Sequence, residues 1–362
     1  MKSRALLSVV GVVALLHAAT GSAVAHVDYV TDGTAPGSAG ELFAAVFSSP
    51  LALVLLASGG ILVTVAAVGY LRFSGSLRDI EVARRTLASY RPYLPWMLRL
   101  SIGLPLVGAG FAGYLFSPSV AVNARLLQVG IGFLLLFGLA TRAVAIVGLL
   151  TYLWALAGQF PDLLLASEYI AGFLGIFLVG PGQPSADMML RRMVATEGTL
   201  LSRFQGLPKP EDVLSALGLT SEAAPLAIRA FLGANFVYLG VVQKWLQPAQ
   251  AAAVVAKYDL TAVVPVSPEL WVFGAGLVEA AVGVFLLTGT LTRGAAAAAF
   301  VILTTTLFGL PDDPVLAHVT LFGLSSALMV TGAGRFSLDT AVLPELHRRL
   351  GAGTTNPDPS SA

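Results

Sequence analysis

The chain has 362 residues, 56% of them hydrophobic and only 11% charged, where soluble domains carry roughly 25% charged residues. That deficit excludes a soluble globular protein, and a formal net charge of +1 gives no footing for nucleic-acid binding. The absence of cysteine excludes disulfide frameworks, thiolate metal sites, Fe–S clusters and thiol relays within this chain.

Residues 1–25 read as a cleavable signal peptide. Lys2 and Arg4 form a basic start, Leu6 to Ala18 a short apolar run, and Ala23-Val24-Ala25 a small-x-small cleavage site. An uncleaved anchor helix is the alternative. Cleavage leaves His26 as the mature N-terminus, followed by a polar, turn-rich exported segment over 26–49. Nine apolar segments come next: 50–71, 96–116, 122–140, 143–159, 165–181, 225–244, 270–289, 293–310 and 315–332. A spanning helix needs about 20 apolar residues, so the expected fold is an all-α integral membrane protein with nine transmembrane helices. The fourth and fifth segments are short, with Gln159-Phe160-Pro161-Asp162 between them.

The basic residues orient this topology. Of the mature chain's 19 Lys and Arg residues, 16 fall in or beside loops on one side, and only Arg125, Lys244 and Lys257 on the other. The positive-inside rule makes the basic side cytoplasmic, with the mature N-terminus outside, the C-terminus inside and the protein in the cell membrane. Residues 50–95 then hold an extra transmembrane helix and a cytoplasmic basic loop, in which 72–95 alternates charge with apolar residues as an interfacial amphipathic helix does. Residues 188–224 form a cytoplasmic linker, with short helices on either side of Pro208-Lys209-Pro210. Residues 340–362 form a cytoplasmic tail, disordered from Gly351.

An ordered series of matches indicates an internal duplication. Arg293, Gly289 and Gly283 lie 151 residues after Arg142, Gly138 and Gly132. Arg229, Gly233 and Gly240 repeat Arg99, Gly103 and Gly110 at roughly the same positions in an earlier helix, and Gly332, Gly334, Ser337 and Asp339 repeat Gly180, Gly182, Ser185 and Asp187. The repeats over 96–187 and 225–339 each hold an even number of spans, so they are parallel. Their glycines suit close helix packing in lipid.

These landmarks resemble the DoxX family of small four-helix membrane proteins. The second repeat carries the resemblance: Arg229, Gly233, Phe236, Gly240 and Lys244 in one helix, Glu279 and Gly283 in the next, then Gly289 to Arg293 and Gly332 to Asp339. The first repeat departs from it, with Tyr114 at the Lys position, Gln128 at the Glu position and Gln183-Pro184 in place of Arg335-Phe336. The resemblance implies a respiratory-type redox membrane, with a quinone or a redox protein as partner.

Ionisable groups inside spans are costly and mark functional candidates. Glu279 lies mid-span, Lys244 ends the preceding helix on the outer side, and His318 enters the last helix from that side. Two readings stay open. In one, the three line a ligand-binding pocket for quinone, with Glu279 and His318 as candidate catalytic proton acceptors. In the other, Lys244 and Glu279 pair to tie two helices together, and His318 is a hydrated helix cap. Glu168 occupies nearly the same depth in the first repeat as His318 in the second. His26 is a weak metal candidate through its amine and imidazole; no other metal site is expected, and no cofactor is held by the chain itself apart from quinone. The alternative function is transport, assembly or scaffolding in the bilayer without redox chemistry.

Overall fold

The computed structural model describes residues 37–73, 77–206, 208–342 and 345. The expected signal peptide, His26 and the expected disordered tail from Gly351 lie outside them. The described residues are all-helical, without a strand. In chain order, the principal helices are α1 Ala39–Ser48, α2 Pro50–Phe73, α3 Arg78–Ser89, α4 Leu94–Ala112, α5 Arg125–Phe137, α6 Thr141–Gly158, α7 Glu168–Val179, α8 Ala186–Ala195, α9 Pro210–Ala216, α10 Ala224–Val237, α11 Pro248–Lys257, α12 Pro268–Thr288, α13 Thr292–Gly309 and α14 Val315–Thr331. A π-helical segment, Tyr238–Leu246, continues α10.

Among the described residues, seven helical stretches are long and apolar enough to cross a bilayer. The expected segments 122–140 and 315–332 form the shorter apolar helices α5 and α14, of 13 and 17 residues. Helix α5 is short because Tyr114 to Ala124 is drawn into an irregular turn. Buried Gln128 holds this turn, accepting the Phe116 N–H at 3.1 Å and donating to the Tyr114 carbonyl at 2.9 Å.

The polar segment 26–49 proves partly helical. Ser38 and Glu41 form a capping box, each side chain satisfying the other's backbone N–H at 3.2 and 2.9 Å, and this starts α1. The long loop after Lys244 also folds, as α11. Helix α3 is the expected amphipathic helix, and α8 and α9 lie on either side of Pro208.

Helices α4, α5, α6 and α7 pack in a ring, each on the next and α7 back on α4. Helices α10, α12, α13 and α14 close a second ring in the same order. The rings meet where α4 packs on α14 and α7 on α10, around a shared core that includes Leu98, Ile102, Phe173, Ile228, Phe236 and Leu324. Glycine brings the first two helices of each ring close together. A Cβ on Gly132 would stand 2.8 Å from the Gly103 carbonyl oxygen, and one on Gly283 only 2.6 Å from that of Gly233.

Both rings are closed at one end by arginine. Arg99 and Arg229 are 1% and 2% exposed. Arg99 donates to the Pro184 carbonyl, and Arg229 to those of Phe336 and, at 2.7 Å, Leu287. From sequence, their place at the ends of apolar runs suits anchoring to lipid headgroups; the structure corrects this, because their guanidiniums face carbonyls inside the bundle. Arg142 and Arg293 donate in turn to Phe177 and Met329 carbonyls, at 3.0 and 2.9 Å. The last carbonyls of a helix lack intrahelical partners and carry partial negative charge, so cations there are favourable.

Lengthening glycine at the α10–α12 crossing should cost stability. Gly283→Ala is expected to lose about 1–3 kcal/mol through overpacking. Gly274→Ala, where a Cβ meets nothing within 4 Å, should be neutral or slightly stabilising. Thermal unfolding of both variants in one mild detergent checks this.

Candidate functional site

The bundle end opposite the arginines gathers most of the sequence-derived candidates. Lys244 lies on the π-helical segment, where a wider turn replaces the α-helical repeat; such segments recur at functional sites. Gly240 lets this segment lie against Gly276 and Ala280 of α12. Lys244 Nζ then reaches Glu279 Oε2 at 2.6 Å, with side chains 20% and 12% exposed. In such a setting mutual attraction offsets the cost of taking the two charges out of water, and removing either partner strands the other.

An aromatic group flanks the pair. Trp245 stacks on Phe273 at 5.4 Å between ring centres, with Phe43 of α1 edge-on to both. Trp245 Nε1 donates to the Phe273 carbonyl at 3.1 Å. Trp245 is therefore packed into the protein, while Trp154 at the other extreme is 76% exposed, as an interfacial belt requires. Helices α1 and α11 cover this group, packing on α12 through Leu42, Val46, Val255 and Leu270. Trp271 Nε1, packed against this group, is a buried donor without a hydrogen-bond partner, as is Nε2 of Gln243, the residue before Lys244. Buried donors are satisfied in most native sites, so orphaned ones ask for a ligand or water.

His318 belongs to a second cluster. It is 2% exposed, with Nε2 3.4 Å from Asp313 Oδ2 and Nδ1 3.3 Å from the Pro314 carbonyl. Its helix α14 packs on α13, α4, α10 and α7, whereas Glu279 sits on α12 between α10 and α13. So the structure pairs Lys244 with Glu279, and His318 with Asp313. The hydrated-cap reading of His318 is corrected by its burial.

The two aspartates of the Pro311-to-Pro314 turn differ sharply. Asp312 is exposed, and hydrogen bonds from Lys257 (3.0 Å) and the Tyr258 hydroxyl (2.9 Å) hold its carboxyl below the usual range. Asp313 is 4% exposed, and burial pushes its carboxyl up, partly opposed by His318. Among the described residues, no group of three or more His, Cys, Asp or Glu could hold a metal ion.

Glu168 opens α7 at 4% exposure. It accepts a hydrogen bond at 3.0 Å from Asn235 Nδ2 of α10, which also donates to the Leu165 carbonyl. Glu168 thus bridges the two rings. Sequence reading missed Asn235; a lone amide in an apolar helix was the available signal.

The Asp313 assignment predicts a pH dependence. An acid raised by burial binds more protons folded than unfolded, so its contribution to stability falls as pH rises from about 4, the ordinary Asp range, through the raised value. Asp313→Asn should remove that part of the decline, read as a flatter melting-temperature profile against pH than in wild type.

A comparison with family models matches residues 224–312 to DoxX. This stretch runs from the start of α10 to the Asp312 turn and includes Lys244 and Glu279. Comparison with curated proteins and with solved structures gives no match.

Proposed function

We propose that the chain is a DoxX-type membrane protein, on the strength of the family match over residues 224–312, and that it serves as a quinone-associated subunit of a membrane redox system. The observation that carries this reading is the pairing of Lys244, on the π-helical segment, with Glu279 of α12, next to stacked aromatic rings and the unpartnered Trp271 N–H. The residues suit a quinone headgroup: carbonyl oxygens need donors, which Lys244, Gln243 and Trp271 have, and a flat ring needs aromatic faces. A bound quinone would supply the two-electron, two-proton chemistry that the side chains lack. Lys244 Nζ would donate to a carbonyl oxygen. Glu279 Oε2, separated from Lys244, would accept a proton from a hydroxyl. His318 and Asp313 would pass protons at the same end of the bundle.

We further propose that the rings are tandem copies of one parallel four-helix unit. Matching ring order, glycine crossings and arginine closures support this. With α5 and α14 counted as spans, the topology has nine crossings, and the basic end is cytoplasmic. In this scheme the first copy is structural, since Gln128 at the Glu279-equivalent position is spent on a backbone turn.

A second reading, a scaffold or assembly protein without redox chemistry, is favoured by one observation: Lys244 and Glu279 already satisfy each other. Quinone content after gentle detergent purification separates the two. Stoichiometric quinone in wild type, reduced at least tenfold in Glu279→Gln (about 1.4 kcal/mol of binding), is the expected result. Quinone no higher than in an unrelated membrane protein prepared alongside would remove the redox reading and leave the scaffold.

A further inference from the structure

The arginine end of the bundle is asymmetric in one respect. Arg142 and Arg293 have the same pose, each with Nε on a carbonyl near the end of the next helix of its ring, α7 or α14. Around Arg142 the charge is met from within the chain. Glu211 of α9 accepts from Arg142 Nη1 and Arg191 Nη2, both at 2.7 Å. Burial works against its ionisation, but the Arg191 hydrogen bond and the two charges hold the carboxyl below the usual range. A carboxylate between two guanidiniums is therefore how this geometry is completed.

Among the described residues, no carboxylate pairs with Arg293 in this way. Its charged neighbours are Arg91, Arg84 and Asp339, with the Tyr70 hydroxyl close by. Asp339 is committed elsewhere, its two oxygens accepting the Leu291 and Thr292 N–H groups. Arg91 donates to the Thr331 carbonyl at 3.2 Å, Arg84 to the Tyr70 hydroxyl, and Arg293 to the Met329 and Val330 carbonyls. None of the three arginines is paired with a carboxylate among the described residues. Helix α3, which carries Arg84, packs on α14, and Arg293 is the second residue of α13. The three positive charges thus sit together where apolar helices end. Like charges gathered at that depth repel unless an anion joins them.

We propose that Arg84, Arg91 and Arg293 form a binding site for the phosphate of an anionic lipid headgroup, with the Tyr70 hydroxyl as a further donor. Arginine suits this ligand because its fork of N–H donors matches phosphate oxygens two at a time. The location favours a lipid source: the site lies at the polar end of α2, α13 and α14, all apolar helices whose outward faces meet acyl chains. The exogenous phosphate would do for Arg293 what Glu211 does for Arg142, and it would fasten α3 to α14. This site is separate from the Lys244–Glu279 pair and does not depend on it.

The test uses the full chain in neutral detergent, titrated with fluorescent phosphatidylglycerol and, as a control, fluorescent phosphatidylcholine. Phosphatidylglycerol should bind more tightly. Arg84→Gln and Arg91→Gln should each weaken it about fivefold, while Arg85→Gln, whose guanidinium pairs with Glu81 on the same helix, should leave it unchanged. Both altered side chains are exposed, so folding is retained. Equal binding of the two lipids, or equal loss in Arg85→Gln, would overturn the proposal. Displacement of the lipid by an equal concentration of inorganic phosphate would assign the site to a soluble phosphate compound and overturn the lipid source.

Discussion

Helix ends in a bilayer protein must satisfy backbone groups that water cannot reach, and in this chain that constraint is met by charged side chains reaching from other helices. Asp187 accepts the N–H groups of Ala140 and Thr141 at 2.7 and 2.8 Å, and Asp339 those of Leu291 and Thr292 at 2.6 and 2.9 Å. Each aspartate thereby caps the third helix of its ring from the segment that follows the fourth. Arg99 and Arg229 do the complementary task for carbonyls. Gly138 and Gly289, both left-handed at φ +66° and +67°, let the chain turn sharply enough for these groups to meet. With both ends of the connection held, four helices close into a ring. Two rings can then share a core.

The opposite end is where the rings diverge. There Gln128 locks a short turn, whereas Glu279 at the corresponding place faces a lysine on a π-helical turn. The extra chain after Lys244 folds as α11 and, with α1, roofs the aromatic group beside the ion pair. One ring thus spends its polar side chain on its own backbone where the other keeps a charged pair near a covered surface. That division gives the family match and the candidate chemistry the same address.

Much of the architecture could be read from residue pattern. Long apolar runs gave the helices, because a spanning segment has little freedom in composition. The Arg, Gly and Asp series pointed to the closures before their contacts were known. Other features depend on tertiary distance and could not be read that way. Arg99 and Arg229 looked interfacial by position, yet burial follows from which carbonyls stand nearby. Glu168 and Asn235 are 67 residues apart and meet only because α7 packs on α10. His318 finds Asp313 across a turn of five residues, a local signal that the Pro-rich sequence around it obscured. The Ser38–Glu41 capping box was legible and was outweighed by the polar composition around it.

The most direct test of this account is the melting temperature of Asp187→Asn and Asp339→Asn in a single detergent, each against wild type. An amide retains the side chain's size but offers one acceptor oxygen in place of two, leaving one helix-end N–H without its partner. The account predicts that both variants lose stability, by a similar amount of about 1–3 kcal/mol. Unchanged melting in either variant would contradict the claim that one closure, used twice, holds the bundle together.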